Sequence, residues 1–582
     1  MTRKFAPIGT AAIAFAIAAF AATDQYTARY PRAAVQRFRA TLRDVGIRPD
    51  ARHDRSALLA AAMTPSAVAD DDDGQFELAT APEGALAPPS AVDGPIPPAP
   101  DITTPPGSGA VEQHEQGARA SATILASFDG LGVGFEGPQG SARLRNPSDN
   151  SLAVGPNHIV QIVNTRMAIY TKKGAMYDTT GRVLYGPVQT NNVFQGFGGA
   201  CESKNNGDAV VRYDQLADRW LIVMPIFSKI GSGADAAHGE QAGHYAMCYA
   251  VSSGPSPFGP YYRYEFDRAL FPDYPRPAVW PDGYYVPTST GDNVIQKHAC
   301  VADRAKMLKG EPATEQCVIV DGVNFLNIAD LDGTQTPPTG TPEIVMAAGG
   351  AQLHGQMEDS TISVWRLHVD WSNPALTKLT GPEKISVAPY HYLCDGQLTS
   401  CVPQPGTDRR LDAQGDKLMA RLTYRRIGDQ QSIVAVHSVN TTEGAGGVRW
   451  YEFRVGSTGD VALYQQGTYA PDSSYRWMGS AAMDGHGNIG IGYSFGGSPN
   501  FAGQRFAGRL AGDPKGELTL RESVLAQGEG AQTNTLRWED YTQTAIDPSD
   551  DCTIWYVGDY FRKDAPSYSS RIGAFRMAGC GT

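Results

Sequence analysis

The chain has 582 residues, 41% of them hydrophobic and 19% charged, with a net charge of −12. That length can bury a large core, and the balance of apolar and charged residues is that of a globular protein. The negative charge argues against a nucleic-acid or anionic-membrane partner.

Taken from the N-terminus, Arg3 and Lys4 precede an apolar run from Ile8 to Ala22, and Ala19-Phe20-Ala21 has the small residues of a cleavage site. This predicts an export signal over residues 1–22. The run is shorter than the ~20 residues that span a bilayer. A secreted or periplasmic chain with no membrane attachment beyond export is therefore expected. Residues 23–122 read as a disordered prosegment or tether. One basic helix is expected near residues 32–44, followed by the acidic run Asp70 to Asp73 and the Pro-rich stretch from Ala81 to Gly107. Such a stretch buries too little apolar surface to offset chain entropy.

From residue 123 to 582 one pattern recurs: an apolar strand, a tight turn and a second strand. It is clearest at Tyr475 to Ser494, where Asp484-Gly485 and Gly487-Asn488 supply the positive φ angles of a short turn. Copies lie at 151–164, 209–223, 278–289, 418–440 and 544–560, anchored on Val154, Val211, Val279, Leu422, Met483 and Ile546. Neighbouring anchors are 57, 68, 61 and 63 residues apart where no unit is missing. One further unit, containing residues 361–371, fits between Val279 and Leu422. A repeat of this kind predicts an all-β chain folded as a single β-propeller of seven four-stranded blades. Sixty-four Gly, 40 Pro and 26 Tyr suit it.

All eight cysteines fall after residue 200, and an even count in an exported chain argues for disulfides. Sequence neighbours are the economical partners: Cys201 with Cys248, Cys300 with Cys317, Cys394 with Cys401, and Cys552 with Cys580. The last would staple the closing blade. A zinc site would need closely spaced Cys and His ligands, which are absent from the sequence.

An acid recurs just ahead of the anchors, at Asp149, Asp208, Asp273, Asp416 and Asp540. In a ring these would converge on one channel mouth. Converging carboxyls have three readings: acid–base or nucleophilic work on a glycosidic bond, ligation of a hard cation such as a structural Ca²⁺, or capping of strand ends. Arg476-Trp477 and Arg537-Trp538 directly precede two of the entrances. Arg offers a bidentate fork and Trp a flat platform for a sugar ring. The strongest short candidate is Arg537 to Tyr541. Asp540, Glu539, Asp208, Asp416 and Tyr541 are thus candidate catalytic residues. Arg537, Arg476, Trp538, Trp477 and Asp273 are candidate substrate contacts.

The motifs VGPNHIVQIVN, YDQLADRW, VWPDGYY, RWMGS-x-AMD-x-x-GNI-x-x-GYS and RWEDY-x-x-x-AIDPSDDC-x-W together resemble a largely uncharacterised group of secreted, sialidase-like bacterial propeller proteins. The resemblance covers residues 123–582. It departs from true sialidases at Ala482 to Gly487, which lacks the Ser of their repeated Asp motif. Arg145, Arg476 and Arg537 could imitate their arginine triad, without an evident Tyr–Glu nucleophile pair. Two functions stand: a carbohydrate-active hydrolase or lyase working on an extracellular glycan at the channel mouth, or a non-catalytic propeller binding glycan or protein at the cell surface. A monomer requiring no cofactor is expected.

Overall fold

The structure, a computed structural model, describes residues 47–59, 77–78, 102–141, 145–227, 245–268, 272–288, 296–321, 323, 325–348, 360–396 and 400–581. The export signal, the basic helix near 32–44 and the acidic run at 70–73 lie outside them.

Strands dominate, and the α-helices among the described residues are the short turns Gly199–Ser203 and Arg304–Met307. The strands group into seven four-stranded antiparallel units, here sheets I to VII in chain order. Their first strands are Ser151–Val154, Val210–Asp214, Ala278–Trp280, Asn327–Asp332, Leu422–Ile427, Tyr475–Met483 and Gln543–Ile546. Six of these carry the anchors read from the sequence. The seventh, Asn327–Asp332, opens sheet IV, and Thr361–His368 is that sheet's third strand. Sheets IV and V are joined by a parallel pairing of their first strands, Ala329 opposite Leu422. The long interval before Leu422 also holds a separate hairpin, Ser400–Gln404 with Thr407–Asp412.

First strands are tied to one another in cyclic order. The Val211 amide donates to Ser151 Oγ at 2.9 Å, linking II to I. Arg212 Nε donates to the Pro277 carbonyl at 2.9 Å, and the Val279 amide to Asp330 at 2.9 Å, linking II, III and IV. Thr423 Oγ1 donates to the Ala481 carbonyl at 2.8 Å and the Thr544 amide to Ser480 Oγ at 2.9 Å, linking V, VI and VII. Gln543 Nε2 donates to the Leu152 carbonyl and returns the order to sheet I. These strands are short and buried, so every backbone group needs a partner. Ser, Thr and Gln side chains supply what the splayed strands cannot give each other.

Sheet VII takes its fourth strand from far upstream. Thr123–Asp129 pairs antiparallel with Ser569–Arg576. The sequence reading placed closure on Cys552–Cys580 alone; the chain closes with a strand as well. Parts of the stretch read as a tether lie along sheet edges. Ile47–Pro49 adds a strand to the outer edge of sheet III, Arg52–Arg55 to that of sheet II, and Glu112–Gln113 to that of sheet V. These residues hold few apolar side chains, but a sheet edge satisfies backbone groups without demanding a core.

The four disulfides are the expected pairs, Cys201–Cys248, Cys300–Cys317, Cys394–Cys401 and Cys552–Cys580. Cys552–Cys580 closes a loop with a sequence separation of 28 residues. Replacing both by Ser is expected to cost about 2–4 kcal/mol. A denaturant melt with an unchanged midpoint would show that the closing strand suffices by itself.

Candidate active site

The entrances to the first strands share an unusual backbone. Asp149 (φ 50°), Asp208 (φ 52°), Tyr274 (φ 51°), Gln414 (φ 45°) and Asp540 (φ 62°) all occupy the left-handed region ahead of sheets I, II, III, V and VII. Asp tolerates that region better than most residues, because its short side chain bonds locally. The repeated turn swings the side chains of different sheets together.

They meet in one buried cluster. The Tyr274 amide donates to Asp208 Oδ2 at 3.3 Å and its hydroxyl to the Asp540 carbonyl at 2.8 Å. The Asp208 carboxyl lies beside those of Asp149 and Asp273. Gln414 Nε2 bridges Asp412 Oδ2 at 3.3 Å and Asp540 Oδ1 at 3.1 Å. Arg537 lies between the same two acids, 2.5 Å from Asp540 Oδ2 and 3.7 Å from Asp412 Oδ2. Lys417 sits 3.2 Å from Asp416 and over the rings of Tyr274 and Phe325. Arg276 stacks 4.0 Å above the Tyr274 ring, and Tyr274 meets Tyr541 edge-on at 5.2 Å.

Burial governs the ionisation here. It pushes the Asp412 carboxyl up to about 7, aided by the charge of Asp540 and opposed by Arg537. Burial likewise raises Asp149 strongly, with the charges of Asp208 and Asp540 adding to it. Asp208 is raised by burial against the bonds it accepts. Tyr274 is pushed to about 12 for the same reason. The Tyr541 hydroxyl is raised as well and has no hydrogen-bond partner.

A pH dependence of stability follows. Between the ordinary Asp value of 3.8 and about 7, Asp412 holds a proton in the folded state that the unfolded chain has released. Asp559, raised by burial to about 7, does the same. The unfolded state binds fewer protons in this window, so stability falls as pH rises through it. The melting temperature is expected to be higher at pH 5 than at pH 8, with Asp412→Asn flattening the slope. A melting temperature that climbs over this range would contradict the assignment.

Of the residues picked from the sequence, Asp540, Asp208, Asp416, Tyr541, Arg537 and Asp273 share this cluster. Four do not. The Glu539 carboxylate turns away into the packing of sheets VI and VII, where Ser494, Gln504 and the Asp559 amide bond it. Arg476 is committed to Asp472 at 3.0 Å and Glu522 at 2.9 Å. Trp477 and Trp538 are buried core residues 6.2 Å apart, with Trp538 Nε1 donating to Ser494 Oγ. Neither offers a face to a sugar. Glu539 (φ 60°) and Asp540 (φ 62°) are successive left-handed residues of the turn ahead of Gln543–Ile546, and that turn sends their carboxyls apart.

The sequence reading missed Asp412, Gln414, Lys417, Arg276 and Tyr274 as members, and named Asp149 among the recurring acids without counting it as a candidate. The run Asp412-Ala-Gln-Gly-Asp-Lys417 and the string Asp273-Tyr-Pro-Arg276 ahead of two anchors were the available signals.

Deeper along the first strands, Arg421 pairs with Asp330 and Asp332, each at 2.6 Å, and Arg212 with Asp330 at 3.1 Å. The cavity they border has a volume of about 20 Å³, room for roughly one water. Among the described residues, two groups of three potential metal ligands lie within 4.8 Å of one another, His486/Cys552/Cys580 and Cys300/Glu315/Cys317. The sulfurs in both are tied up in disulfides, whereas a metal takes the thiolate.

No known family profile matches the chain. No curated protein matches it either. Solved structures similar to it include a protein of unknown function from Dyadobacter fermentans, 8% identical, covering 78% of this chain and 100% of its own at a TM-score of 0.34. The polysaccharide lyase Uly1 is 9% identical, with 80% and 99% coverage and a TM-score of 0.34. A subtype N10 neuraminidase-like protein of A/little yellow-shouldered bat/Guatemala is 9% identical, with 60% and 90% coverage and a TM-score of 0.31. None of these carries a residue of the cluster across.

Proposed function

We propose that the seven sheets form the blades of a single propeller and that the chain is an exported, carbohydrate-active hydrolase or lyase. The cyclic ties between first strands and the strand that closes sheet VII support the ring. The four disulfides fit an oxidising compartment, and no helix among the described residues is long and apolar enough to cross a membrane.

The activity rests on one observation: Asp412, with a proton held up to about 7, and Asp540 share Gln414 and Arg537. A carboxyl that is half protonated near neutral pH beside a second acid is what general acid–base work on a glycosidic bond requires. Asp412 would deliver a proton to the leaving oxygen while Asp540 accepts one from water or from the sugar. Arg537 would hold the two acids in register. Asp149, Asp208, Asp273 and Asp416 would set the field around them, with Lys417 and Arg276 as counter-charges. If a structural Ca²⁺ bridged Asp149 and Asp208 instead, EDTA would lower the melting temperature.

A second reading, a non-catalytic propeller that binds glycan or protein at the cell surface, draws on the burial of the cluster. The Asp540 side chain is 10% exposed and that of Arg537 13%. The two readings separate on a panel of neutral and acidic polysaccharides. Asp412→Asn is expected to lower turnover by about 10²–10⁴-fold while the variant melts as the wild type does at pH 5, where Asp412 is protonated. An unchanged rate in Asp412→Asn excludes Asp412 as the acid. Binding of a panel member without any product from the wild type favours the second reading.

A further inference from the structure

The outer edges of sheets II and III are occupied by a single stretch of chain, residues 47–59. Arg52–Arg55 runs antiparallel to the outer strand of sheet II, Asp54 opposite Arg263 and His53 opposite Tyr264. Ile47–Pro49 runs antiparallel to the outer strand of sheet III, Arg48 opposite Glu315. Only Asp50 and Ala51 separate the two pairings, so one short segment spans the gap between neighbouring sheets.

Its contacts are those of a built site rather than a loose end. Arg263, with a side chain 4% exposed, donates to both carboxylate oxygens of Asp54, at 2.7 and 2.6 Å. The Ala313 amide donates to Asp50 Oδ2 at 3.0 Å, and the Asp50 amide to the Ala313 carbonyl at 3.1 Å. The Ala51 amide donates to the Glu265 carbonyl at 2.9 Å. Ser56 exchanges bonds with Tyr261 through its hydroxyl and its amide, both at 2.8 Å. His53 stacks on Tyr264, and Leu59 is 4% exposed within the core cluster that holds Phe197 and Tyr261. Edge strands left bare are templates for other chains. Here the template is filled by the chain itself, with backbone bonds for affinity and alternate side chains for register.

We infer that the edges of sheets II and III form a binding site for an extended peptide, and that residues 47–59 are its occupant, held by these contacts whether or not the chain is continuous to Ile102. Residues 47–59 are then a strap of the folded protein, retained after any cut that follows Leu59, and not a piece shed on processing. Continuity raises the local concentration of the strap. A cut removes that advantage and leaves the contacts to hold it unaided.

The test inserts a specific protease sequence after Ser66 and cleaves the full chain under native conditions. The cut protein is passed through size exclusion at about 1 µM. The N-terminal fragment is expected to elute with the body. Asp54→Ala combined with Leu59→Asp removes the ion pair and the apolar anchor, and should release the fragment at least about tenfold more readily. A wild-type fragment that elutes alone overturns the proposal, as does a doubly substituted fragment retained as well as the wild type. Hydrogen exchange on the cut wild type reads the same contacts independently of the variant's folding. Protected amides at Ala51 and Ser56 support the strap, and amides exchanging as in an unfolded chain overturn it.

Discussion

Arg421→Ala is expected to destabilise the protein by about 3–5 kcal/mol, because it leaves buried charge without a partner. Arg421 is 5% exposed and bonds Asp330 at 2.6 Å and Asp332 at 2.6 Å, while its Nη1 reaches the Thr544 carbonyl at 3.3 Å. It therefore joins sheets IV, V and VII. Removing it sets Asp330 and Asp332 against each other, with only Arg212 remaining beside Asp330. Chemical denaturation measures the loss directly. Replacing Arg421 together with both aspartates by apolar residues of similar volume should recover part of it, since the cost lies in the stranded charges. A midpoint unchanged in Arg421→Ala would mean that water reaches the pair and screens it.

A chain beginning at residue 130 is expected to collect in aggregates, whereas one beginning at residue 102 gives a cooperative melt. The largest difference is the strand Thr123–Asp129, with the short edge strand Glu112–Gln113 of sheet V lost alongside it. Without it, Arg571–Arg576 becomes a bare edge. Two further ties go with it. Asp129 binds Arg562 at 2.6 Å, Arg571 at 2.8 Å and the Tyr560 hydroxyl at 2.8 Å. Phe128 packs against Tyr170 of sheet I at 5.3 Å, across the seam between the last sheet and the first. The loss is comparable to the whole net stability of a domain, ~5–15 kcal/mol. Soluble, cooperatively melting protein from the shorter chain would show that the disulfide at Cys552 closes the last sheet without the strand.

Much of the fold was legible in the sequence because its signals are local. A turn such as Asp484 to Gly487 needs particular φ angles, so Gly and Asp mark it wherever it recurs. The alternation that flanks it marks strands, and a repeat of about 60 residues marks a repeated sheet. Cysteine pairs within a unit followed from the same locality. The candidate site was legible in part, since Asp208, Asp416, Asp540 and Arg537 all stand at strand entrances. The missed members show the limit of that reasoning. Asp412 lies in a hairpin outside the repeat, so periodicity could not place it beside Asp540. Trp477 stands in the right strand but on its core side, and Glu539 in the right turn but aimed into the packing of sheets VI and VII.

By itself, then, the sequence determined the strand–turn–strand units, their recurrence and the pairing of the cysteines, because each depends on backbone preference or on neighbours a few tens of residues apart. Tertiary structure alone decided which strand completes sheet VII, where residues 47–59 lie and which acids meet at the strand entrances. Those outcomes depend on surfaces that exist only after the sheets assemble: an edge whose backbone groups lack partners, and an entrance so thoroughly buried that Asp412 keeps its proton to about 7.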